Sequence, residues 1–291
     1  MRHLPKFRYY RPKALNEVLD LLKEHEVQAK LLAGGTDLVV LMKEQKISPE
    51  VIIDLSEVRE LSYVEEGEGV TRIGATVKLS TLEGLPPSRE AWRVLAQAAR
   101  RIGSPQIRFR GTIGGNVCNA SPAADMAAPL LAMEAGVVLV SKNKERTLPL
   151  ESFFKGPGVT ALGSDEVLKE IVVPDVPPRS FGAYLKLGRR KSMDLAVVSA
   201  AVLLTLGPDK KTCERARIAF GSVAPVPLRA KETEAFLQGR VLTDEAILEG
   251  AHVAEGESRP ISDIRATALY RRKMVGVLFR RAMREALAAR T

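Results

Sequence analysis

Leu15, Val18, Leu19 and Leu22 recur at the spacing of one helix face, and Pro12 suits a first helical turn, so residues 12–25 are predicted as an amphipathic helix. Ala29 to Ala33 forms a short apolar strand that breaks at Gly34-Gly35-Thr36-Asp37. A helix over Leu38 to Lys43 and a second strand over Val51 to Leu55 follow. Strand, glycine turn, helix and strand is the order of a parallel βαβ unit. Thr71 to Val77 then alternates as a strand does. The next helix carries Trp92, Leu95, Ala99 and Ile102, with Ser88 as its N-cap and Gly103-Ser104-Pro105 as its end. Gly111 to Asp125, rich in Gly, Asn, Ser and Pro, is predicted as one extended loop. Ala127 to Val140 returns to apolar helix and strand.

Pro174, Pro177 and Pro178 mark a domain boundary. Beyond it Phe181 to Leu187, Ala196 to Leu206 and Arg215 to Val223 read as three strands around turns at Gly188-Arg189-Arg190 and Gly207-Pro208-Asp209. Helical patterns follow at 229–238 and 243–254. A last helix gathers Val275, Leu278, Phe279, Ala282, Met283 and Ala286 on one face. A length of 291 residues fits two domains, and no repeat of roughly 20 to 50 residues is present.

Composition narrows the function classes. With 45 % apolar and 27 % charged residues, neither disorder nor a fibrous repeat is in prospect. No apolar run approaches the roughly 18 residues of a membrane span. The opening MRHLPKFRYYRP has no apolar segment behind its basic residues, so a cytoplasmic protein is expected. Two cysteines, Cys118 and Cys213, fall short of the thiolates of an iron–sulfur cluster, and His3, His25 and His252 have no metal-ligand spacing. Any redox chemistry therefore rests on a bound organic cofactor. Cys118 is expected to pack as a small hydrophobe.

The formal charge of +9 is concentrated at one end, with eight Lys or Arg against one Glu from Arg265 to Thr291. A solvated helix face, a contact with an acidic partner and nucleic-acid binding are the three readings. The last is disfavoured, because no helix-turn-helix, finger or RNP signature accompanies the charge and aromatic residues are only 5 %.

Two polar glycine segments carry the candidate chemistry. Ala33-Gly34-Gly35-Thr36-Asp37 stands where a strand ends and a helix begins; its glycines let backbone approach a ligand, and its N–H groups and Thr hydroxyl suit a phosphate. An ordinary turn would look the same. Gly111-Thr112-Ile113-Gly114-Gly115-Asn116 again joins glycines to side-chain donors, and Asn119, Ser121 and Asp125 continue the series. Two such segments in one chain point to an extended ligand such as a dinucleotide. Neither is the G-x-G-x-x-G fingerprint, which disfavours NAD in a doubly wound sheet.

These residues resemble a known family. Phe7-Arg8-Tyr9-Tyr10-Arg11-Pro12, Leu32-Ala33-Gly34-Gly35-Thr36-Asp37-Leu38, Ile73-Gly74-Ala75, Thr112-Ile113-Gly114-Gly115-Asn116 and Ser121-Pro122-Ala123-Ala124-Asp125 look like the FAD-binding medium subunit of molybdenum hydroxylases, of the carbon monoxide dehydrogenase and xanthine dehydrogenase type. In the second half Tyr184-Leu185-Lys186, Arg190, Asp194-Leu195-Ala196, Ile264-Arg265-Ala266 and Tyr270-Arg271-Arg272 extend the likeness in the same order.

The resemblance implies an α+β protein. Its FAD-binding fold, of the PCMH or vanillyl-alcohol oxidase-like type, would comprise two α/β subdomains at about 1–58 and 59–175. A C-terminal domain at 179–291 would hold a three-stranded sheet and helices. It further implies that Leu32, Ala33, Gly34, Gly35, Thr36 and Asp37, with Thr112, Ile113, Gly114, Gly115 and Asn116, wrap the FAD pyrophosphate. Ser121 and Asp125 would contact the cofactor, Asp125 accepting from ribityl or ribose hydroxyls, although it could instead cap a helix starting near Met126. Ile102, Leu168 and Leu195 fall near the flavin but could equally be plain core. Lys186 would sit by the isoalloxazine, or simply snorkel from a strand.

No residue of this chain would act on the organic substrate. A large subunit with a molybdenum cofactor and a small subunit with [2Fe-2S] clusters are the implied partners, in a heterotrimer or a dimer of heterotrimers. NAD, a quinone or oxygen would be the external acceptor. Two cysteines depart from the branch that inserts a further iron–sulfur cluster in this subunit. The rival readings are a self-sufficient reductase like that for UDP-N-acetylenolpyruvoylglucosamine and a nucleic-acid-binding module using the basic tail.

Overall fold

The computed structural model describes residues 3–67, 69–85, 90–190 and 192–290. The chain opens with β1 (Arg8–Tyr10), α1 (Leu15–His25), β2 (Ala29–Leu32), α2 (Leu38–Lys43) and β3 (Val51–Asp54). β3 is central and both β1 and β2 run parallel to it, which is the predicted βαβ unit with one added strand. Helix α1 buries Val18, Leu19 and Leu22 against Val51 and Ile53. It starts at Leu15, later than expected from Pro12. Ala14 has no side chain to cap with, and the carboxylates of Glu17 and Glu60 accept from the Lys13 and Leu15 N–H groups instead.

A second unit follows with β4 (Val64–Glu66), β5 (Val70–Gly74), α3 (Leu79–Glu83), α4 (Glu90–Arg100), α5 (Pro105–Arg110), α6 (Ile113–Cys118) and α7 (Ala127–Ala132). It continues with β6 (Gly136–Val140), β7 (Glu145–Pro149), α8 (Leu150–Phe153), β8 (Phe154–Gly156), β9 (Val159–Thr160) and β10 (Val167–Pro174). Five of these strands form an antiparallel sheet in the order β4-β5-β10-β6-β7, while β8 and β9 pair with each other.

Two expectations change here. Gly103-Ser104-Pro105 does more than close α4, because it also opens α5, with Pro105 in the first turn and Ser104 Oγ accepting from the Ile107 N–H. The stretch from Gly111 to Asp125 is not one loop but contains α6, which Thr112 caps by accepting from the Gly115 N–H. Composition misled there: two glycines weaken a helix in isolation, yet packing against Ala75 holds this one. The expected cap at Ser88 lies outside the described residues.

The C-terminal part comprises β11 (Ser180–Leu187), β12 (Val198–Leu206), β13 (Cys213–Gly221), β14 (Leu228–Arg229), α9 (Lys231–Leu237), α10 (Asp244–Glu257) and α11 (Ala268–Ala288). Its sheet has four strands, not the three expected, in the order β11-β12-β13-β14; β14 is only two residues long, too short to leave a periodic signal.

All nine residues of β12 are buried, because this sheet is covered on both sides. Ala200, Val202 and Leu204 face Val275, Phe279 and Met283 of α11. Tyr184, Ala201, Leu203 and Ala219 join the core under α4 and α7 of the preceding unit. A strand buried on both faces reads as a continuous apolar run, as Ala196 to Leu206 does. Charge reinforces the contact. Glu134, just after α7, meets Arg215 at 2.8 Å, Arg229 at 3.3 Å and Arg217 at 3.6 Å. Burial opposes its ionisation, but Arg217, Arg215 and Arg229 outweigh it and hold the carboxyl below its usual range.

Much of the terminal basic charge is engaged within the chain. Arg265 and Arg271 bind Asp263, Lys273 binds Glu255 and Arg284 binds Asp244. Among the described residues, no helix is long and apolar enough to cross a membrane.

Candidate functional site

A cleft of about 970 Å³ runs between the two glycine segments, bounded by the β2–α2 turn, α5 and α6, the 158–168 edge and the loop at Met193 to Leu195. It lies at the top of the roughly 300–1,000 Å³ range of small-molecule sites, so it suits a long ligand.

The first segment leaves β2 and turns at Gly35, whose φ of +76° favours glycine. Among the described residues, no protein acceptor meets the N–H groups of Gly34, Gly35, Thr36 or Asp37. A run of free backbone N–H groups on a turn is a receptor for an anion such as a pyrophosphate. Gly34 has a further role. A Cβ on it would stand 2.4 Å from the Arg110 carbonyl oxygen and 2.8 Å from Gly111 Cα. Its bare Cα is thus what lets the two glycine segments touch. Asn119 Nδ2 donates to Asp37 Oδ1 at 3.3 Å and ties them again.

The second segment contributes differently from what its composition implied. Most of its N–H groups are already used: Gly111 donates to Ile107, Ile113 to Val77, Gly114 to the Ala75 carbonyl at 2.9 Å, Gly115 to Thr112 Oγ1 at 3.1 Å and Asn116 to the Thr112 carbonyl, while among the described residues the Thr112 N–H meets no protein acceptor. Gly114 is required by packing, since a Cβ there would lie 2.6 Å from the Ala75 oxygen. What this segment offers a ligand is mainly side chains, with the Thr112 N–H beside them. Asn116 lines the cleft and its Oδ1 is buried with no partner. An unsatisfied buried acceptor is costly and fits a donor on a bound molecule.

Asp125 closes one wall, buried at 7 % exposure. Its Oδ1 accepts from the Tyr184 hydroxyl at 2.6 Å and its Oδ2 from Lys186 Nζ at 2.7 Å, while Lys186 also donates to the Arg101 carbonyl at 3.0 Å. Burial pushes the Asp125 carboxyl above its usual range, with Lys186 and the Tyr184 bond working against that rise. The Tyr184 hydroxyl is pushed up by burial and then by Asp125. Asp125 is not a helix cap, because α7 begins after Met126 and has no side-chain cap.

Of the seventeen expected site residues, all but Leu32, Ile113 and Lys186 line the cleft. Leu32 ends β2, Ile113 is fully buried core, and Lys186 stands behind Asp125. Ile102 and Leu168 are buried at 8 % and 3 % exposure and form apolar wall, whereas Leu195 is 58 % exposed at the mouth and is not core.

Sequence reasoning missed Tyr184 as a site residue. It precedes Lys186 by two on a strand and so shares its face, a signal that was available. It also missed that Cys118 borders the cleft; burial pushes its thiol up to about 12, so it is an inert neighbour.

Comparison with known proteins agrees with this geometry. Residues 5–176 match the family described as FAD binding domain in molybdopterin dehydrogenase, and residues 183–286 match the CO dehydrogenase flavoprotein C-terminal domain. The carbon monoxide dehydrogenase medium chain of Hydrogenophaga pseudoflava is 37 % identical over 98 % of both chains. The nicotinate dehydrogenase FAD-subunit of Eubacterium barkeri is 32 % identical over 94 % of both. A solved structure of carbon monoxide dehydrogenase from Hydrogenophaga pseudoflava superposes with a TM-score of 0.94, at 37 % identity and 99 % coverage of each chain. The chain is an oxidoreductase subunit with a mixed α+β fold, and it belongs to the family of FAD-binding medium subunits of molybdopterin dehydrogenases.

Proposed function

We propose that this chain binds FAD in the cleft between its glycine segments. There it collects electrons from the [2Fe-2S] clusters of a small subunit and passes them to an external acceptor, NAD, a quinone or oxygen. A large subunit with a molybdenum cofactor would oxidise the substrate, in a cytoplasmic heterotrimer or dimer of heterotrimers. The observation that carries this reading is the run of acceptor-free N–H groups from Gly34 to Asp37, set in a cleft of dinucleotide size.

Within the reading, residues 1–175 form the FAD-binding domain, whose two α/β units clasp the cofactor as in vanillyl-alcohol oxidase-like folds, and residues 179–291 form the C-terminal domain. Leu32 to Asp37 hold the pyrophosphate through backbone donors. Thr112 and Asn116 add side-chain contacts, while Ile113, Gly114 and Gly115 fix the segment that carries them. Ser121 and Asp125 accept from cofactor hydroxyls. Ile102 and Leu168 give the flavin an apolar wall, and Leu195 covers it from the mouth. Bound FAD supplies the redox chemistry, and the protein supplies placement and electrostatics. No side chain here is assigned as acid, base or nucleophile toward the organic substrate.

The test is an absorption spectrum of the purified chain, alone and after co-expression with its neighbouring genes, with identification of released flavin. Near-stoichiometric FAD is expected, with iron, sulfide and molybdenum only in the co-purified complex. A colourless chain that takes up no added FAD would refute the reading.

A further inference from the structure

Exposed apolar side chains are not spread evenly over this chain. Of the fourteen large ones among the described residues, six lie on two segments, Met193 and Leu195 on one and Ile261, Ile264, Leu269 and Tyr270 on the other. Ile264 is 94 % exposed, Leu269 70 % and Ile261 69 %. Single exposed hydrophobes are ordinary, but a concentration of them marks a surface that another molecule covers. The two segments adjoin. Arg265 Nη1 donates to the Ala196 carbonyl at 3.4 Å and Arg271 Nη1 to the Val197 carbonyl at 2.7 Å, which sets 261–270 against the residues that follow Leu195. Leu195 itself stands at the mouth of the cleft.

The second segment is fixed from below and bare above. Asp263 accepts from Arg265 and Arg271, Ser262 Oγ accepts from the Ala268 N–H at 2.8 Å, and Thr267 caps α11. Polar groups thus hold the backbone while the apolar side chains stay in solvent, and a surface ordered in advance loses little freedom on binding. Its rim is cationic. Arg189, Arg259 and Arg272 are exposed, and among the described residues none of their guanidinium groups makes a hydrogen bond or an ion pair. The carboxylates of the two segments are engaged elsewhere, Asp194 with the Arg189 and Arg190 N–H groups and Asp263 with its two arginines.

We propose that this surface docks the subunit that delivers electrons to the cleft, through a partner face with an apolar centre and a carboxylate rim. The inference rests on the reading above, in which that subunit carries [2Fe-2S] clusters. Continuity favours this occupant, because an electron donor has to approach the cofactor and the surface runs to the cleft mouth over Leu195. Charge favours it as well, since three arginines without acceptors call for carboxylates opposite them. A second copy of this chain fits poorly: two-fold pairing of the surface with itself would set its arginines against one another.

The test dilutes the co-expressed complex at low and at high salt and reads its dissociation by mass photometry, with FAD content and melting temperature confirming that each variant folds. Ile264→Asp/Leu269→Asp should weaken association of the [2Fe-2S] subunit roughly tenfold or more, as expected for two central apolar contacts. Arg259→Glu/Arg272→Glu should weaken it at low salt and remove most of the salt dependence shown by the parent. Leu248→Asp, at an exposed position of α10, should change nothing.

Variants that assemble as the parent does would overturn the proposal while leaving the FAD reading intact. So would dimers of this chain alone, or binding to phosphatidylglycerol vesicles, that the aspartates abolish without affecting subunit association. A parent that holds FAD but associates with no co-expressed iron–sulfur subunit would also overturn it, and one that takes up no FAD either would overturn the reading as well. If the aspartate pair does not fold, hydrogen exchange of the parent decides: slowing over 259–270 in the complex relative to the full chain alone supports the docking surface, and unchanged exchange there overturns it.

Discussion

Gly34→Ala adds one methyl group at the point where the two glycine segments meet, and its cost can be worked from the geometry. The new Cβ would lie 2.4 Å from the Arg110 carbonyl oxygen, 2.9 Å from the Arg110 carbonyl carbon and 2.8 Å from Gly111 Cα. All three are backbone atoms, so no side chain can swing aside. The β2–α2 turn must move away from the end of α5 by about the shortfall from ordinary van der Waals contact, roughly 1 Å for carbon atoms. Overpacking of this kind costs about 1–3 kcal/mol. At about 2–4 °C per kcal/mol for a unit of this size, the first transition should fall by between ~2 and ~12 °C. The same displacement should pull the free N–H groups of Gly34 to Asp37 away from Asn116 and weaken FAD uptake. Differential scanning fluorimetry and flavin titration read the two effects. Gly256→Ala is the control, because it sits in α10 with nothing within 4 Å of its added Cβ, and it should raise stability by about 0.5–1 kcal/mol through helix propensity. A Gly34→Ala chain that melts and binds FAD like the parent would refute the inference that a bare Cα is what brings the segments together.

Asp263→Asn removes the carboxylate that Arg265 and Arg271 share; Arg271 is 1 % exposed, so its charge would be left buried and uncompensated, at a cost of about 3 kcal/mol or more. Burial opposes ionisation of Asp263, but its bonds from Arg265 and Arg271 hold the carboxyl far below the usual range. Its contribution is therefore complete above an unfolded value of about 3.9 and is lost as pH falls toward the lower folded value. The difference between parent and variant in urea midpoint should accordingly be large at pH 7 and shrink as the pH is taken below about 3. Cys118, with its thiol pushed up to about 12, should resist iodoacetamide at pH 8 in the folded chain and react after unfolding, as read by mass spectrometry. Phe279→Ala, in the core beneath the C-terminal sheet, should cost about 3–5 kcal/mol in chemical denaturation.

What the sequence disclosed follows from how far along the chain each contact reaches. Period and capping are local, so α2 is legible at its observed bounds and so are the six apolar residues on the buried face of α11, whereas Arg271 and Gly276, buried on the same helix, carry no apolar signal. The polar stretch after Gly111 was misread because α6 is held by Thr112 capping its own start and by Gly114 lying against Ala75, and the second of these joins residues distant in sequence. β14 escaped notice because two residues carry no period. In the site, the glycines are legible and their purpose is half legible: Gly34 and Gly114 are required by protein packing, and the run of N–H groups without a protein acceptor lies in the first segment. For Lys186 the resemblance supplies the position by the isoalloxazine, and its bond to Asp125 is a tertiary contact that no local pattern signals.

The cleft is consequently a property of three pieces of chain that no single piece could hold. The first sheet brings a turn with unpaired donors, which stays accessible because Gly34 lets it rest against Arg110 and Gly111. The second unit brings Asn116 and Asp125, and the C-terminal sheet brings Tyr184 and Lys186, which donate to the Asp125 carboxylate. Each junction has its own contacts: backbone against backbone at Gly34, apolar core between β12 and the helices α4 and α7, and the Glu134 arginine cluster at its edge. A ligand long enough to touch all three pieces stabilises the assembled state by mass action. A short one that reaches only the first turn meets donors alone, without the acceptors at Asn116 and Asp125. On the proposed reading, selectivity for a dinucleotide over a simple phosphate follows from the separation of donors and acceptors along the cleft.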